Sequence, residues 1–505
     1  MQVWEENTYS RKWAHSLNFM PLEDELQYSP KPILQFSREI LDKNFDACLF
    51  APLIWDLSGT NTTVESFFPK FAKEHNTTSK ILKIKKKPVF PVLKLFTDLM
   101  SIFRIEVVLL EPSVLFCMLS PYYKNLLLRR KFNLKDISSS KQIVTLGIRA
   151  IDAVVFEKVS VKAKIRAYGF KMEIVSEPLL DWMELDNFTF SEKRFTSHVF
   201  FKNKDWLIHL VVFYERENFL WHSSLKVPPN AKRALGELSF AASASAYENF
   251  SHESLGFKDK SLSFINIPSS PQYFLFEMAS SKFLECNSTI VSTFLKSNQT
   301  GIPNKHSSTL TEERFNKRTV VGLQELKAIF NPLLMHFWIW SGTMLGWYRQ
   351  CGVIPYTSDV DFGAWASEVD DLEEILHRLE NIEHLKLSQR MGIVEKGLEF
   401  NINCHGLRVD VFFLYNQSNG TWYAGHRPSK AYYFKYHHPN FSLCSATLLG
   451  HKVLVPCETE LVIATEYGSN WMEPVTSWNY EKSIKNRGPN IYWEKSMVEK
   501  VYQNN

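Results

Sequence analysis

The hydrophobic period of residues 311–415 switches repeatedly between about 3.6 and 2, and this succession limits the fold more than any other feature of the chain. "TEERFNKRTVVGLQELKAIF" predicts an amphipathic helix, stopped by Pro332 just after it. "MHFWIW" predicts a buried strand, and "SGTMLGWYRQ" opens a second helix. A strand containing "SDVDFG" follows, and then "DDLEEILHRLE", whose Leu372, Ile375, Leu376 and Leu379 lie on one helical face. "LEFNINCHGLRVDVFFLY" reads as one or two further strands. The order helix, strand, helix, strand, helix, strands predicts an α/β (α+β) domain with a mixed sheet.

A chain of 505 residues exceeds one typical core, so two or three domains are expected. The reading assigns residues 1–20 to a flexible N-terminal segment, 21–285 to a mixed α/β stem or accessory domain, and 309–505 to a catalytic domain. Gly, Pro, Asn and Ser with little helical period mark 286–308 as a linker. In the stem, "FRIEVVLL" and "KIRAYGFKMEIV" read as β-rich, and "HVFF" and "WLIHLVVFY" bracket "KNKD" as a hairpin. The lysines of "KILKIKKKPVF" alternate with apolar residues, as on a solvated strand face.

Hydrophobic residues make up 45% and charged residues 22%, which excludes disorder and fibrous repeats. With 58 basic against 54 acidic residues, no polyanion-binding bias exists, and nucleic acid is not an expected partner. The seven cysteines show no metal-type spacing. Asn-x-Ser/Thr triplets at Asn61, Asn76, Asn187, Asn249, Asn287, Asn298, Asn416, Asn419 and Asn440 favour the secretory pathway as glycosylation acceptors. Against that, residues 1–20 hold no apolar core of signal or anchor length, and "VVLLEPSVLFCML" is too short and too interrupted to span a bilayer, so no transmembrane segment is expected.

Chemistry concentrates in the second half. Side chains alternate along a strand, so Asp359 and Asp361 share a face, roughly 6 to 7 Å apart, while Val360 and Phe362 take the other. Two such carboxylates repel each other unless a cation sits between them, and hard oxygen ligands favour Mg²⁺ or Mn²⁺ over zinc. Asp410, between Val409 and Val411, comes within reach if its strand is adjacent. Upstream, Ser341 and Gly342 begin a helix whose free N–H groups and dipole suit an anion. Gly342 and Gly346 allow close approach of a phosphate, and Arg349 adds a guanidinium. Together these describe a metal-dependent transferase with a phosphate-containing donor.

At these residues the sequence resembles the fukutin and LicD family of phosphotransferases, and within it the animal fukutin branch. "FWIWSGTMLGWYRQCGVIPYTSDVDFG" carries the Ser-Gly-Thr helix start, the Gly-Trp-Tyr-Arg-Gln segment and the paired aspartates. "VDVFFLY", "SLC", "HKVLVPCETE" and "YGSNW" continue the likeness in order, whereas residues 1–300 show only a general one. The resemblance implies a nucleotidyltransferase-like domain that transfers ribitol 5-phosphate, or a related alditol or choline-like phosphate, from a CDP-linked donor to a glycan hydroxyl. CMP is released, in protein O-mannosyl glycan elaboration in the Golgi lumen. It implies Asp359, Asp361 and Asp410 as metal ligands, with Ser341, Gly342, Thr343 and Arg349 on the donor phosphates. A glycan or glycoprotein acceptor and other glycan-modifying transferases are the implied partners. The general base stays open between Asp410 and a free oxygen of the pair.

Two other functions stay open at this point. A glycosyltransferase also uses Asp-x-Asp to hold a nucleotide sugar, and a retained fold serves as a non-catalytic scaffold for other glycan-modifying enzymes. Tyr467, Gly468 and Trp471 read as cap and packing of a C-terminal helix, with Trp471 alternatively lining the donor pocket. His437, His438 and Cys444 offer zinc-type atoms without a spaced fourth ligand, and Cys444 alternatively pairs with Cys457.

Overall fold

The computed structural model describes residues 90–130, 143–185, 194–204, 206–225, 243–254, 265–297, 312–475 and 478–504, all within one compact unit. Its first half contains helices α1 (Phe90–Phe103), α2 (Pro112–Met118), α3 (Pro121–Arg129) and α4 (Val159–Ala167). The strands are β1 (Val107–Leu109), β2 (Ile143–Arg149), β3 (Lys171–Pro178), β4 (Arg194–Asn203), β5 (Trp206–Arg216), β6 (Phe219–His222), β7 (Ser245–Glu248), β8 (His252–Ser254) and β9 (Ile265–Pro268). They form one sheet in the order β3-β4-β5-β2-β1-β9-β8, from which β6 and β7 branch at β5. Helices α5 (Pro271–Met278) and α6 (Ser288–Ser297) follow.

The expected hairpin is β4–β5, paired from His198–Val211 to Asn203–Trp206 across Lys204 at φ +52°. "KIRAYGFKMEIV" is only half strand. Its first residues finish α4, because Val161 and Ile165, one turn apart, bury while Lys164 and Arg166 face water, and Gly169 at φ +80° turns the chain into β3. Residues 80–90, with their alternating lysines, lie mostly outside the described residues.

One polar cluster inside this sheet has a consequence for stability. His198, His209 and His222 are fully buried, and His209 Nε2 lies 3.1 Å from His198 Nδ1. Burial holds His198 down to about 3 and His222 to about 4, and His209 also well below its ordinary value. All three are neutral in both states above the unfolded value of about 6.5, so their titration costs nothing there. Below it the unfolded chain takes up protons that the fold refuses. Stability should therefore fall by about 1.4 kcal/mol per histidine per pH unit from pH 6.5 down towards 4. Denaturation midpoints of His209→Phe should show a shallower acid loss than wild type.

In the second half, α7 (Glu312–Phe330), β10 (Phe337–Ile339), α8 (Ser341–Gln350), β11 (Asp359–Trp365) and α9 (Leu372–Glu380) occur in the order read from the periodicity. Asp371 caps α9 by accepting from the Glu373 and Glu374 N–H groups. Strands β12 (Leu385–Ile393), β13 (Lys396–Cys404), β14 (Leu407–Gln417), β15 (Gly420–Arg427), β16 (Tyr432–His438), β17 (Leu443–Leu448) and β18 (His451–Pro456) follow. Helix α10 (Thr459–Tyr467), β19 (Arg487–Tyr492) and β20 (Tyr502–Asn504) complete the chain. β13 and β14 are two strands because His405 and Gly406, at φ +51° and +83°, make a tight turn between them. The mixed sheet runs β10-β11-β14-β13-β12-β20, with β11 parallel to β14, and the far end of β14 continues into β15-β16-β19. Trp338, Trp340, Trp347, Phe362 and Val409 are buried in its core.

The two halves are fastened together. Cys286 bonds to Cys351, Lys452 Nζ lies 2.9 Å from Glu277 Oε1, and Lys327 Nζ lies 2.6 Å from Glu248 Oε1. The expected linker starts as α6, capped by Asn287 Oδ1, while residues 298–311 lie outside the described ones. Among the described residues no helix is long and apolar enough to cross a membrane. Asn249, Asn287, Asn416, Asn419 and Asn440 are exposed, and Asn61, Asn76, Asn187 and Asn298 lie outside the described residues.

Candidate functional site

Parallel pairing of β11 with β14 sets Asp361 directly opposite Asp410, with Asp359 one pleat along on the same face. Val360, Phe362, Val409 and Val411 fill the opposite, buried face, so the apolar partners of the acids are what fix their direction. One carboxylate oxygen from each of Asp359, Asp361 and Asp410 lies within 4.8 Å of the other two. Asp359 Oδ1 accepts from the Thr357 hydroxyl at 2.8 Å. Asp410 is tightly held: Asn401 Nδ2 donates to it at 2.7 Å and Arg408 Nε lies 2.9 Å from its other oxygen.

Burial pushes Asp361 well above the usual carboxylate range, the charges of Asp359, Asp410 and Glu466 push it further, and the Gly342 N–H partly counters them. Burial likewise raises Asp410 to about 6 against the opposing pull of Arg408. Three mutually repelling carboxylates with convergent oxygens are a donor set that fits a hard divalent ion.

Helix α8 starts where the sheet delivers it. Trp340 N donates to the Asp361 carbonyl at 2.9 Å, and Gly342 N donates to Asp361 Oδ2 at 3.1 Å. A Cβ at residue 342 would stand 3.2 Å from that oxygen, so glycine keeps this approach open. Ser341 sits at φ +41°, left-handed for a residue with a side chain, and its hydroxyl lies 2.5 Å from Glu466 Oε1 and 3.0 Å from the Tyr467 hydroxyl. Ser341→Gly should therefore shift the melting temperature little, because relief of about 1 kcal/mol of strain offsets the loss of the hydroxyl's bond to buried Glu466, yet lower activity at least tenfold. Calorimetry beside a turnover assay checks the split.

The remaining sequence-derived residues divide. Arg349 lines the cleft although nearly fully buried; its guanidinium stacks 4.6 Å from the Phe294 ring and donates to the Trp471 carbonyl at 3.3 Å. Thr343 turns inward, its hydroxyl accepting from Asp361 N at 2.8 Å, so it fastens the helix to the strand. Gly346 serves packing too: a Cβ there would stand 2.7 Å from the Gly352 carbonyl oxygen, in place of the phosphate approach expected. Tyr467 ends α10 at Gly468, φ +83°, and also lines the cleft, as does Trp471. Cys444 is bonded to Cys457, which removes it as a zinc ligand. His438 is buried against Trp340 while His437 points outward.

Sequence reasoning missed Glu399, Asn401, Arg408 and Glu466, beside the acids or the helix start, and Tyr356, beside Arg349. Burial raises Glu399 well above the carboxylate range, with Asp410 adding to the shift, and raises Glu466 to about 7. The alternation of "LEFNINC" carried the signal for Glu399 and Asn401, since both share the face opposite Leu398, Phe400 and Ile402. Glu399, Asn401, Arg408 and Tyr356 line an open cleft of about 690 Å³, the size of a small-molecule site, and Glu466 is buried behind its wall.

Residues 335–458 match the nucleotidyltransferase domain of LicD, FKTN and FKRP proteins, a class consistent with the mixed sheet and the acidic face it carries. Residues 69–303 match the fukutin N-terminal domain, a relation that sequence reading detected only in outline. The chain belongs to the fukutin and LicD family. Human and mouse "Ribitol-5-phosphate transferase FKTN" are each 33% identical to it over 301 residues, which is 59% of this chain and 63% of theirs. An uncharacterized protein of Caenorhabditis elegans is 32% identical over 174 residues, 32% of this chain and 44% of its own. The chain thus spans a little under two thirds of the length of the curated fukutin relatives it matches.

Proposed function

We propose that this chain is a phosphotransferase that moves ribitol 5-phosphate from a CDP-linked donor to a glycan hydroxyl and releases CMP. The observation that carries the reading is the register of Asp361 with Asp410 beside the N-terminus of α8, whose Gly342 N–H bonds the Asp361 carboxylate. The names of the human and mouse relatives supply the transferred group.

Asp359, Asp361 and Asp410 would hold Mg²⁺ or Mn²⁺, which when bound neutralises charge on the transferred phosphate. The protein's own groups do the positioning. The α8 N-terminus and the Arg349 guanidinium attract the donor phosphates. Asn401 and Arg408 keep the Asp410 carboxylate aimed at the same point. Tyr356 and Trp471 offer rings on the wall of the cleft beside Arg349, suited to a nucleobase or ribose. The acceptor oxygen bonds to the alditol-bearing phosphorus, the P–O bond to CMP breaks, and the hydroxyl proton passes to a carboxylate oxygen of the site.

The disulfides Cys286–Cys351 and Cys444–Cys457, with five exposed glycosylation triplets, support an oxidising secretory compartment, and we place the reaction in the Golgi lumen. A donor screen with CDP-ribitol, CDP-glycerol, CDP-choline and UDP- or GDP-sugars, each with Mg²⁺ or Mn²⁺, tests the reading. CMP release from CDP-ribitol is expected. Turnover of a UDP- or GDP-sugar alone would replace it with the glycosyltransferase reading.

A further inference from the structure

The acidic pair is one end of a longer row. Asp361 is opposite Asp410, Asp410 is opposite Asn401 on β13, and Asn401 is opposite Gln389 on β12. Directly opposed residues share a face, so these four side chains form one line across four strands, reaching roughly 10 Å from Asp410 to Gln389 at the usual strand spacing. Glu399 stands in the adjoining row on that face, and the Asn401 amide lies 3.4 Å from its Oε1 as well as 2.7 Å from Asp410 Oδ1. Gln389, Glu399 and Asn401 all line the cleft, with the Tyr436 and Phe412 rings on its wall.

We infer that this row is the subsite for the hydroxyl-bearing acceptor, and that it takes a neutral polyol or sugar. The inference rests on the phosphotransferase reading, because it follows from the direction of attack. Phosphates drawn to the N-terminus of α8 enter from the β11 side of the aspartates, where Gly342 stands. In phosphoryl transfer the entering and leaving oxygens lie roughly in line across phosphorus. The leaving CMP occupies the α8 side, so the entering hydroxyl comes over β14 and β13, along Asn401 and Gln389. The chemistry there fits that role. Two carboxamides and a carboxyl present both donors and acceptors without a net field for an anion, which is what adjacent hydroxyls pair with. A sheet face serving only as core would be apolar at these positions, as the reverse face is at Phe400, Ile402 and Val409.

The test uses glycerol, ribitol and methyl α-mannoside as acceptors competing with water for the CDP-ribitol donor, in wild type, Gln389→Ala and Glu399→Gln. Glutamine keeps the volume of the buried Glu399 side chain, and melting curves confirm that each variant folds. The ratio of polyol product to water product should saturate with polyol in wild type and fall about tenfold in each variant, one hydrogen bond to an uncharged hydroxyl being worth about that factor. An unchanged ratio overturns the subsite. A second measurement, saturation transfer from the protein to methyl α-mannoside with neither donor nor metal, separates the two claims. Binding that is lost in Gln389→Ala while wild type consumes no CDP-ribitol keeps the subsite and overturns the donor reading; wild type that consumes the donor without binding the glycoside does the reverse.

Discussion

Asp361→Asn is expected to lower CMP release from CDP-ribitol by at least about 10³-fold, about 4 kcal/mol of transition-state stabilisation, while leaving the apo protein as stable as wild type or more so. The two effects oppose each other for one reason. Burial and the charges of Asp359, Asp410 and Glu466 all disfavour a carboxylate at residue 361, so removing the charge relieves the fold. An asparagine oxygen still accepts from Gly342 N, which keeps the start of α8 in place. What disappears is one of three convergent anionic oxygens. A readout besides turnover follows from linkage: Mn²⁺ should raise the melting temperature of wild type, and this rise should shrink sharply in the variant. If Asp361→Asn restored full glycan modification in cells lacking the wild-type chain, the scaffold reading would stand in place of catalysis.

The part of this site legible from sequence was the part written in local periodicity. Alternation in "SDVDFG" and "RVDVFF" separates acid from core residue by residue, because a strand enforces period two whatever its neighbours are. The pairing of those strands was readable only as a condition; that they run parallel with Asp361 on Asp410 is set by the crossover between them. Residues whose role depends on distant elements were not legible. Glu466 reaches Ser341 from 125 positions away, and Phe294 reaches Arg349 from a helix in the stretch that composition marks as a linker. For Thr343 and Gly346 the sequence leaves the contacts open: polar and small residues in the first turns of a helix suit a phosphate and a close backbone contact equally, and the contacts with Asp361 N and the Gly352 carbonyl come from distant segments. In the first half, "KIRAYGF" has enough β-branched and aromatic character to suggest a strand, but the face that Val161 and Ile165 bury together overrides it.

Lys452→Ala is expected to destabilise the protein by about 3–5 kcal/mol, the range for removing one partner of a buried ion pair. Lys452 and Glu277 are 5% and 3% exposed, and their atoms lie 2.9 Å apart across the junction of β18 with α5. Glu277 Oε1 also accepts from Glu248 N at 3.0 Å, so its carboxylate cannot turn to water once the ammonium is gone. The neighbouring Lys327 donates both to Glu248 Oε1 at 2.6 Å and to the Lys452 carbonyl at 2.7 Å, which holds the second acid but leaves Glu277 without its cation. The loss should therefore come from the stranded charge more than from the missing attraction. Lys452→Met combined with Glu277→Gln separates these causes, since methionine fills the space and the amide oxygen still accepts from Glu248 N. The double variant should recover about 2 kcal/mol or more of the single variant's loss in urea denaturation. A single-variant cost below about 1 kcal/mol would mean that water reaches the pair and that the junction of the two halves rests on its apolar contacts and the Cys286–Cys351 bond instead.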